Sequence, residues 1–216
     1  MAGAARHKVS PTFDQNVFIN CPFDDAFMPI FRALVFAVFE CGLIPRSAQE
    51  VYDTGVIRIE KIESRIKDCR WGIHDISRTE LNANNLPRFN MPLEPGLFLG
   101  ARRYGRPPQD RKSCLVLDRD KHRYQAFISD IAGQDIAAHG NQPDRAIKAV
   151  RDWMTVSRPG ARKPAGANAI RGRFDRFNAE LPAICSRNQL EVVQLTFVEY
   201  ADLAYIWLKT DLAGLR

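Results

Sequence analysis

The chain has 216 residues, 45% of them hydrophobic, which is enough to bury one full core and a small appendage. Its formal net charge of +6 suits anionic ligands such as nucleotides, and it fits weak attraction to nucleic acid equally well. The apolar run 30–44 is interrupted by Arg32 and Glu40 and is too short to cross a bilayer. The five cysteines are scattered and no signal-peptide pattern is present, so we expect a cytoplasmic protein with reduced thiols and no membrane partner.

β-prone runs alternate with amphipathic segments along most of the chain. Strands are predicted at 16–20, 43–45, 71–76, 113–117 and 135–138. Helices are predicted at 26–41, around Ile59 to Ile66, from near Pro92 or Pro95 to Gly105, at 123–131 and at 144–156. This alternation implies a parallel sheet covered on both faces. We therefore predict a doubly wound, flavodoxin-like α/β fold of about five strands.

Composition divides the chain into four predicted parts. Residues 1–15 are polar and small, which indicates a disordered leader, and residues 16–157 form the α/β domain. Residues 158–168 are rich in Pro, Gly and basic side chains and are interpreted as a linker. Residues 169–216 are predicted to be a small helical appendage, whose arginines we interpret as a solvated face rather than a nucleic-acid patch.

Polar side chains that follow the predicted strands are the first candidates for a ligand site. In open parallel sheets, ligands bind beyond the carboxyl ends of the strands. The candidates at that edge are Asn20, Pro22, Phe23, Asp24, Arg46, Asp75, Ser77 and Arg78. Among these, Asp75 could orient a ligand hydroxyl or hold Arg78, and both interpretations stay open. Arg46, Arg78 and Arg58 are candidates for contacts with a diphosphate.

Glu94 lies between Pro92 and Pro95, directly before an apolar run. Because proline is tolerated in the first turn of a helix, the helix is predicted to begin near Pro92 or at Pro95. Glu94 would then lie at the helix N-terminus, where free N–H groups and the dipole keep a carboxylate ionised. Glu94 is thus either a cap of its own helix or a functional carboxylate.

The histidines and the absence of several motifs limit the kinds of site that the sequence predicts. His74 is predicted to be a satisfied core or rim histidine, and His122 and His139 have no identifiable partner. The sequence contains no G-x-G-x-x-G, no P-loop, no H-E-x-x-H, no close Cys/His cluster and no G-x-S-x-G elbow. We therefore predict neither a bound cofactor nor a metal site.

Three segments resemble the nucleoside 2-deoxyribosyltransferase-like and TIR-like superfamily: residues 17–23, residues 74–77, and the pattern Glu94-x-Gly96-x3-Gly100. The resemblance spans roughly 16–156 and implies that Glu94 is the catalytic carboxylate. It also implies that Asp75 binds the ribose or the base. The pocket it implies would be lined by Asn20, Pro22 and Phe23, and Asn90 and Met91 are further candidates for substrate contacts.

The chain departs from the transferase pattern at 89–92 and at Phe98 and Leu99, which leaves transfer and hydrolysis both open. Breaking a C–N glycosidic bond builds positive charge on the sugar, which an ionised carboxylate stabilises or captures. A lone glutamate suits NAD as substrate, because nicotinamide leaves as a neutral base. We expect cleavage of an N-glycosidic bond in NAD or a related nucleotide, and the resemblance extends to bacterial anti-phage effectors that work as homo-oligomers or complexes. The alternatives are a non-catalytic nucleotide-sensing module and a TIR-like assembly module.

Overall fold

The computed structural model describes residues 13–50, 53–81, 84–131 and 135–214, with side chains to residue 212. Within these residues five strands form one sheet: β1 (Asn16–Asn20), β2 (Ile44–Arg46), β3 (Trp71–Asp75), β4 (Ser113–Asp118) and β5 (Ala137–Ala138). All neighbouring strands are parallel, and their order across the sheet is β2–β1–β3–β4–β5. The predicted doubly wound, flavodoxin-like α/β fold is confirmed.

Helices cover both faces of this sheet. They are α1 (Met28–Glu40), α2 (Arg58–Asp68), α3 (Asn90–Tyr104), α4 (Pro143–Ser157), α5 (Ala167–Arg187) and α6 (Phe197–Gly214). Helices α1 and α4 pack on one face, and α2 and α3 pack on the other. No helix in the described ranges is both long enough and apolar enough to cross a bilayer.

Strand alternation assigns each side chain of β1 to one of the two helical layers. Val17 and Ile19 belong to the core cluster that contains α1, whereas Phe18 packs with Ile62 of α2 and Phe98 of α3. The chain leaves β1 for β2 on one side and returns to β3 on the other. The strand order therefore reverses between β1 and β3, and this switch point is where such sheets bind ligands.

The C-terminal helices share the core of the α/β domain. The rings of Phe174 and Phe177 in α5 lie 5.4 and 5.6 Å from the ring of Phe36 in α1, and Phe197 lies 5.8 Å from Phe31. Their residues join the α1 cluster as one continuous hydrophobic core. The predicted appendage is thus an outer helical layer packed on α1.

The basic side chains of α5 are paired with carboxylates. Arg173 donates two hydrogen bonds to the carboxylate of Glu40, and Arg176 forms an ion pair with Asp211 at 2.8 Å. Arg171 lies 3.4 Å from the carboxylate of Asp175 one turn away. Each of these three arginines is therefore paired with a carboxylate.

Two local predictions are wrong. Residues 123–131 form two 3-10 turns, Arg123–Ala126 and Ser129–Ile131, instead of an α-helix, and the Arg123 side chain binds Asp118 and the Ile76 carbonyl. The predicted leader includes Phe13–Gln15, which form a 3-10 turn whose Asp14 pairs with an arginine at 3.0 Å. The remainder of that leader, residues 1–12, lies outside the described residues.

Gly72 of β3 permits α3 to approach the sheet. A Cβ added at Gly72 would lie 2.7 Å from His74 Nε2 and 2.9 Å from the ring of Phe98, and both rings are fully buried. We expect Gly72→Ala to lower the free energy of unfolding by about 1–3 kcal/mol, measured by urea denaturation. Gly172→Ala in α5 is the matched control, since a Cβ there meets no atom within 4 Å. That control should stabilise the protein by about 0.5–1 kcal/mol, and equal effects at both positions would contradict the packing argument.

Candidate active site

The alternation of β3 places its two polar residues on opposite faces of the sheet. The His74 ring lies 5.0 Å from the ring of Phe98, so it faces α3. Asp75 follows it and contacts His139 in the loop between β5 and α4, on the side of α1 and α4. Glu94 belongs to α3. Asp75 and Glu94, the two predicted catalytic residues, therefore approach the switch point from different faces.

Asp75 is the centre of a buried polar cluster. Its Oδ1 accepts a hydrogen bond from the Ser77 backbone N–H at 2.9 Å, and its Oδ2 lies 2.9 Å from His139 Nε2. The Asn141 backbone N–H donates to His139 Nδ1 at 3.0 Å, so Nε2 carries the proton and donates to Asp75. Asp75 and His139 are both 0% exposed. His139, which the sequence left without a partner, fixes the Asp75 carboxylate.

This cluster does not form a nucleophilic triad. Ser77 Oγ lies 2.9 Å from His139 Nε2, the same nitrogen that contacts Asp75. A Ser-His-Asp site requires the serine and the aspartate to bind opposite ring nitrogens. We therefore interpret the cluster as a support that fixes the chain after β3.

Arg78 does not contact Asp75. Its guanidinium lies 3.1 Å from Asp24, and the same carboxylate is 3.7 Å from Arg88, an arginine that the sequence analysis did not select. Of the two interpretations left open for Asp75, the pair with Arg78 is not formed, because Asp75 binds His139 within the core and Arg78 binds Asp24. Two arginines therefore share one aspartate at this rim.

Glu94 differs from its prediction in position and in ionisation. The helix begins at Asn90, so Glu94 is its fifth residue and lies beyond the free N–H groups of the first turn. Its side chain is buried, at 4% exposure, and no hydrogen bond or ion pair joins it to another described residue. Burial raises the pKa of Glu94 to about 7, against the opposing charge of Arg58. At neutral pH the Glu94 carboxyl group is therefore only partly ionised, whereas the sequence predicted a carboxylate that stays ionised.

Arg58 and Cys21 mark the surroundings of Glu94. Arg58 is the first residue of α2, is exposed and forms no ion pair with a described residue, yet its charge reaches Glu94. The pKa of the Cys21 thiol is raised well above its usual value by burial, and then by the charges of Asp75, Glu94 and Asp24. Three carboxyl groups thus surround the end of β1, and the Cys21 thiol stays protonated and unreactive.

Asn20 supplies a second polar group without a partner. It is 2% exposed, and its Nδ2 has no hydrogen-bond acceptor among the described residues. It pairs with His74 in the sheet register and, by alternation from Phe18, lies on the face of α2 and α3. A buried amide donor and a buried carboxyl group therefore approach the same end of the same sheet face.

Several other residues predicted to contact a ligand instead bind or pack against side chains of the protein. Arg46 binds Glu50 through three contacts of 2.6–2.9 Å, so it is not free for a diphosphate. The ring of Phe23 packs 5.3 Å from that of Phe31 on the α1 side. Three further predicted contacts divide by exposure: Pro22 and Met91 are buried, and Asn90 is exposed.

Two cavities lie away from this edge. One of about 450 Å³ lies between the C-terminal halves of α2 and α3, and one of about 540 Å³ lies beside Leu99 and Arg102. Neither is lined by Glu94. No group of three or more His, Cys, Asp or Glu side chains within the described ranges is arranged to hold a metal ion.

Comparison of the chain with protein-family models, with curated proteins and with solved structures gives no match. Glu94, Asn20 and Arg58, at the switch point of the sheet, are therefore the groups that indicate a function.

Proposed function

We propose that the protein cleaves an N-glycosidic bond in NAD or a related nucleotide, with Glu94 as the catalytic residue. The observation that carries this proposal is a buried carboxyl group without a hydrogen bond or ion pair to a described residue, at the edge where such sheets bind ligands. Unpaired buried carboxyl groups destabilise a fold, and strongly raised carboxyl pKa values cluster at functional sites.

The chemistry follows from the ionisation of Glu94. When the C–N bond breaks, its electron pair leaves with the base and positive charge develops on the sugar carbon. The carboxylate form of Glu94 stabilises that charge. In hydrolysis, a water oxygen then bonds to the carbon and its proton passes to the carboxylate. A pKa of about 7 keeps both forms of Glu94 populated near neutral pH, which is the range a general base requires.

The neighbouring groups have roles in the same proposal. Asn20 Nδ2 donates a hydrogen bond to the ribose or the base, because this buried donor has no partner among the described residues. Arg58 is exposed and carries a charge that reaches Glu94, so it is the residue we assign to the substrate phosphate. Because Glu94 is covered in this structure, residues around it must move when substrate enters.

We expect the wild-type protein to release nicotinamide from NAD, and Glu94→Gln to abolish the release without loss of fold. The measurement is incubation with NAD, nucleotides and deoxynucleosides, followed by mass spectrometry of freed bases. Glu191→Gln, at an exposed glutamate outside the site, is the matched control and should keep full activity. Equal base release by wild type and Glu94→Gln would contradict the assignment. Nucleotide binding without release in either protein would instead identify a nucleotide-sensing module.

A further inference from the structure

The C-terminal end of α3 presents basic and aromatic side chains to solvent. Arg102 and Arg103 lie in the last turn of the helix, Tyr104 is its last residue, and Arg106 follows the C-cap residue. All four residues are exposed, and Tyr104 is 87% exposed, although its ring is large and mostly apolar. We call these four residues the α3 end surface.

The three arginines of the α3 end surface form no ion pair with a described residue, whereas those of α5 are each bound to a carboxylate. Cations in the last turn of a helix complement its dipole, and this effect accounts for Arg102 and Arg103 without any ligand. It does not account for Arg106, which lies beyond the helix, or for the exposed ring of Tyr104. The surface therefore has features that the stability of α3 does not require.

Two of these arginines face one open space. Arg102 and Arg103 line the same cavity, of about 540 Å³, together with Leu99 and Asp110. The Asp110 carboxylate forms no ion pair with either guanidinium group, although all three residues line this cavity. Both arginines are therefore available to an anion that approaches from solvent.

Tyr104 lies between Arg103 and Arg106. Arg103 and Tyr104 follow Gly100 by three and four residues, so both lie on its side of α3, one turn further along. A Cβ added at Gly100 would meet no atom within 4 Å, so the space over this part of the helix is open. Tyr104 also follows Ala101 by three residues, and Ala101 and Arg106 line the cavity between α2 and α3.

Cations on both sides of an exposed ring match the chemistry of single-stranded nucleic acid. Guanidinium groups bind phosphate oxygens through paired hydrogen bonds, and aromatic rings stack on unpaired bases. The bases of a duplex are stacked on one another, so a duplex would contact the arginines without using Tyr104. A membrane surface fits less well, because membrane binding depends on several apolar side chains that enter the lipid.

We propose that the α3 end surface binds single-stranded nucleic acid, with phosphates on the three arginines and a base stacked on Tyr104. DNA and RNA share this chemistry. Helix α3 begins at the carboxyl edge of the sheet, and Tyr104 lies ten residues after Glu94, roughly 15 Å along the helix axis. The α3 end surface is thus separate from the Glu94 site, and its binding does not rest on the proposed cleavage reaction.

The test is fluorescence anisotropy of labelled DNA and RNA oligonucleotides of about 12 nucleotides, titrated with the full chain at several salt concentrations. We expect single-stranded DNA, single-stranded RNA or both to bind more tightly than a duplex of the same sequence. The double substitution Arg102→Gln with Arg103→Gln should weaken this binding at least about tenfold. It should also reduce the slope of log affinity against log salt concentration by roughly 1.4, since two phosphate contacts are lost.

Three single substitutions separate stacking from charge. Tyr104→Ala should weaken binding at least about fivefold with an unchanged salt slope, because stacking releases no counterions, and Tyr104→Phe should keep the wild-type affinity. Asp110→Asn should tighten binding, since it removes a carboxylate beside the arginines. Arg187→Ala is the matched control, because Arg187 is an exposed arginine in the last turn of α5, and it should change the affinity less than about twofold.

Three results would overturn the proposal. The first is the absence of oligonucleotide binding at low salt by wild-type protein whose circular dichroism shows a folded chain. The second is equal affinity of wild type and the Arg102 and Arg103 double variant. The third is binding to phosphatidylserine vesicles without binding to either oligonucleotide, which would identify a membrane surface instead. Base release from NAD is measured separately, and all these variants keep Glu94, so failure of one proposal is distinguishable from failure of the other.

Discussion

Glu94→Gln is expected to raise the free energy of unfolding above neutral pH by up to about 3 kcal/mol. The ordinary pKa of a glutamate is 4.5, and burial raises that of Glu94 in the folded protein to about 7. Between these values the folded state holds a proton that the unfolded state has released. Stability therefore falls as the pH rises through this window, and the full penalty remains above it. Glutamine does not titrate, so the variant does not lose this stability.

The measurement is urea denaturation of wild type and variant at about pH 4 and about pH 8. The difference between the two proteins should be small at the lower pH, where the Glu94 carboxyl is neutral in both states. Glu191→Gln is the control for loss of an exposed glutamate, and its effect should be near zero at both pH values. A constant difference between wild type and Glu94→Gln across the range would show that Glu94 is not desolvated in the folded protein.

This expectation links stability to the proposed function. A carboxyl group buried without a partner weakens the fold at the pH where a general base has to be ionised. Proteins keep such groups where activity requires them, and replacing them commonly stabilises the fold while removing function. A variant that is more stable above pH 7 and inactive on NAD would support the catalytic assignment. If Glu94 were instead a helix cap, its substitution would be expected to lower the stability of the protein.

The fold was predictable because its signals are local. Each central strand is a short apolar run bounded by turn residues, and the order of strands and helices along the chain implies a parallel sheet. Another local signal is the capping box at the start of α6, where Thr196 and Glu199 exchange hydrogen bonds at 2.9 and 3.3 Å. Gly42, with φ of 72°, ends α1 in the left-handed conformation that a C′ glycine adopts.

The first residue of the helix that carries Glu94 was harder to predict, because the two prolines allowed two starting points. Both placed Glu94 at the helix N-terminus, but α3 begins at Asn90 and accommodates Pro95 in its second turn. Pro95 has no N–H group to donate to the carbonyl four residues before it. The loss of this hydrogen bond disfavours proline inside a helix, so a helix that includes Pro95 beyond its first turn is not predicted from sequence. Packing of Phe98 against β3 and α2 stabilises the helix in this register, and such tertiary contacts are absent from local patterns.

The arrangement around Asp75 depended on contacts distant in sequence. His139 lies 64 residues after Asp75 and is brought to it by the loop after β5. No spacing rule connects the two positions. Strand alternation did contain one usable signal, since neighbours such as His74 and Asp75 must face different helical layers. Combined with the order of the helices along the chain, this alternation places Asp75 and Glu94 on different faces of the sheet.

His74→Leu is expected to make the stability of the protein less sensitive to acid. Burial, assisted by the charge of Lys112, lowers the pKa of His74 from 6.5 to about 3. Below pH 6.5 the unfolded chain binds a proton at this position and the folded protein does not, so stability falls as the pH decreases toward 3. The loss reaches about 4 kcal/mol at the acidic end of the window.

The measurement is the slope of unfolding free energy against pH between about pH 8 and about pH 4. This slope reports proton uptake, whereas a change in packing alters the stability equally at every pH. Leucine cannot take up a proton, so His74→Leu should show a shallower slope than wild type whatever its stability at pH 8. His122→Asn replaces an exposed histidine in a left-handed turn that asparagine also tolerates, and it should retain the wild-type slope. Both His74 nitrogens lack a hydrogen bond to a described residue, so removing them also removes an unsatisfied buried group. Equal slopes for wild type and His74→Leu would mean that the ring gains a proton within the folded sheet, and that its contacts with Phe18 and Phe98 do not exclude water.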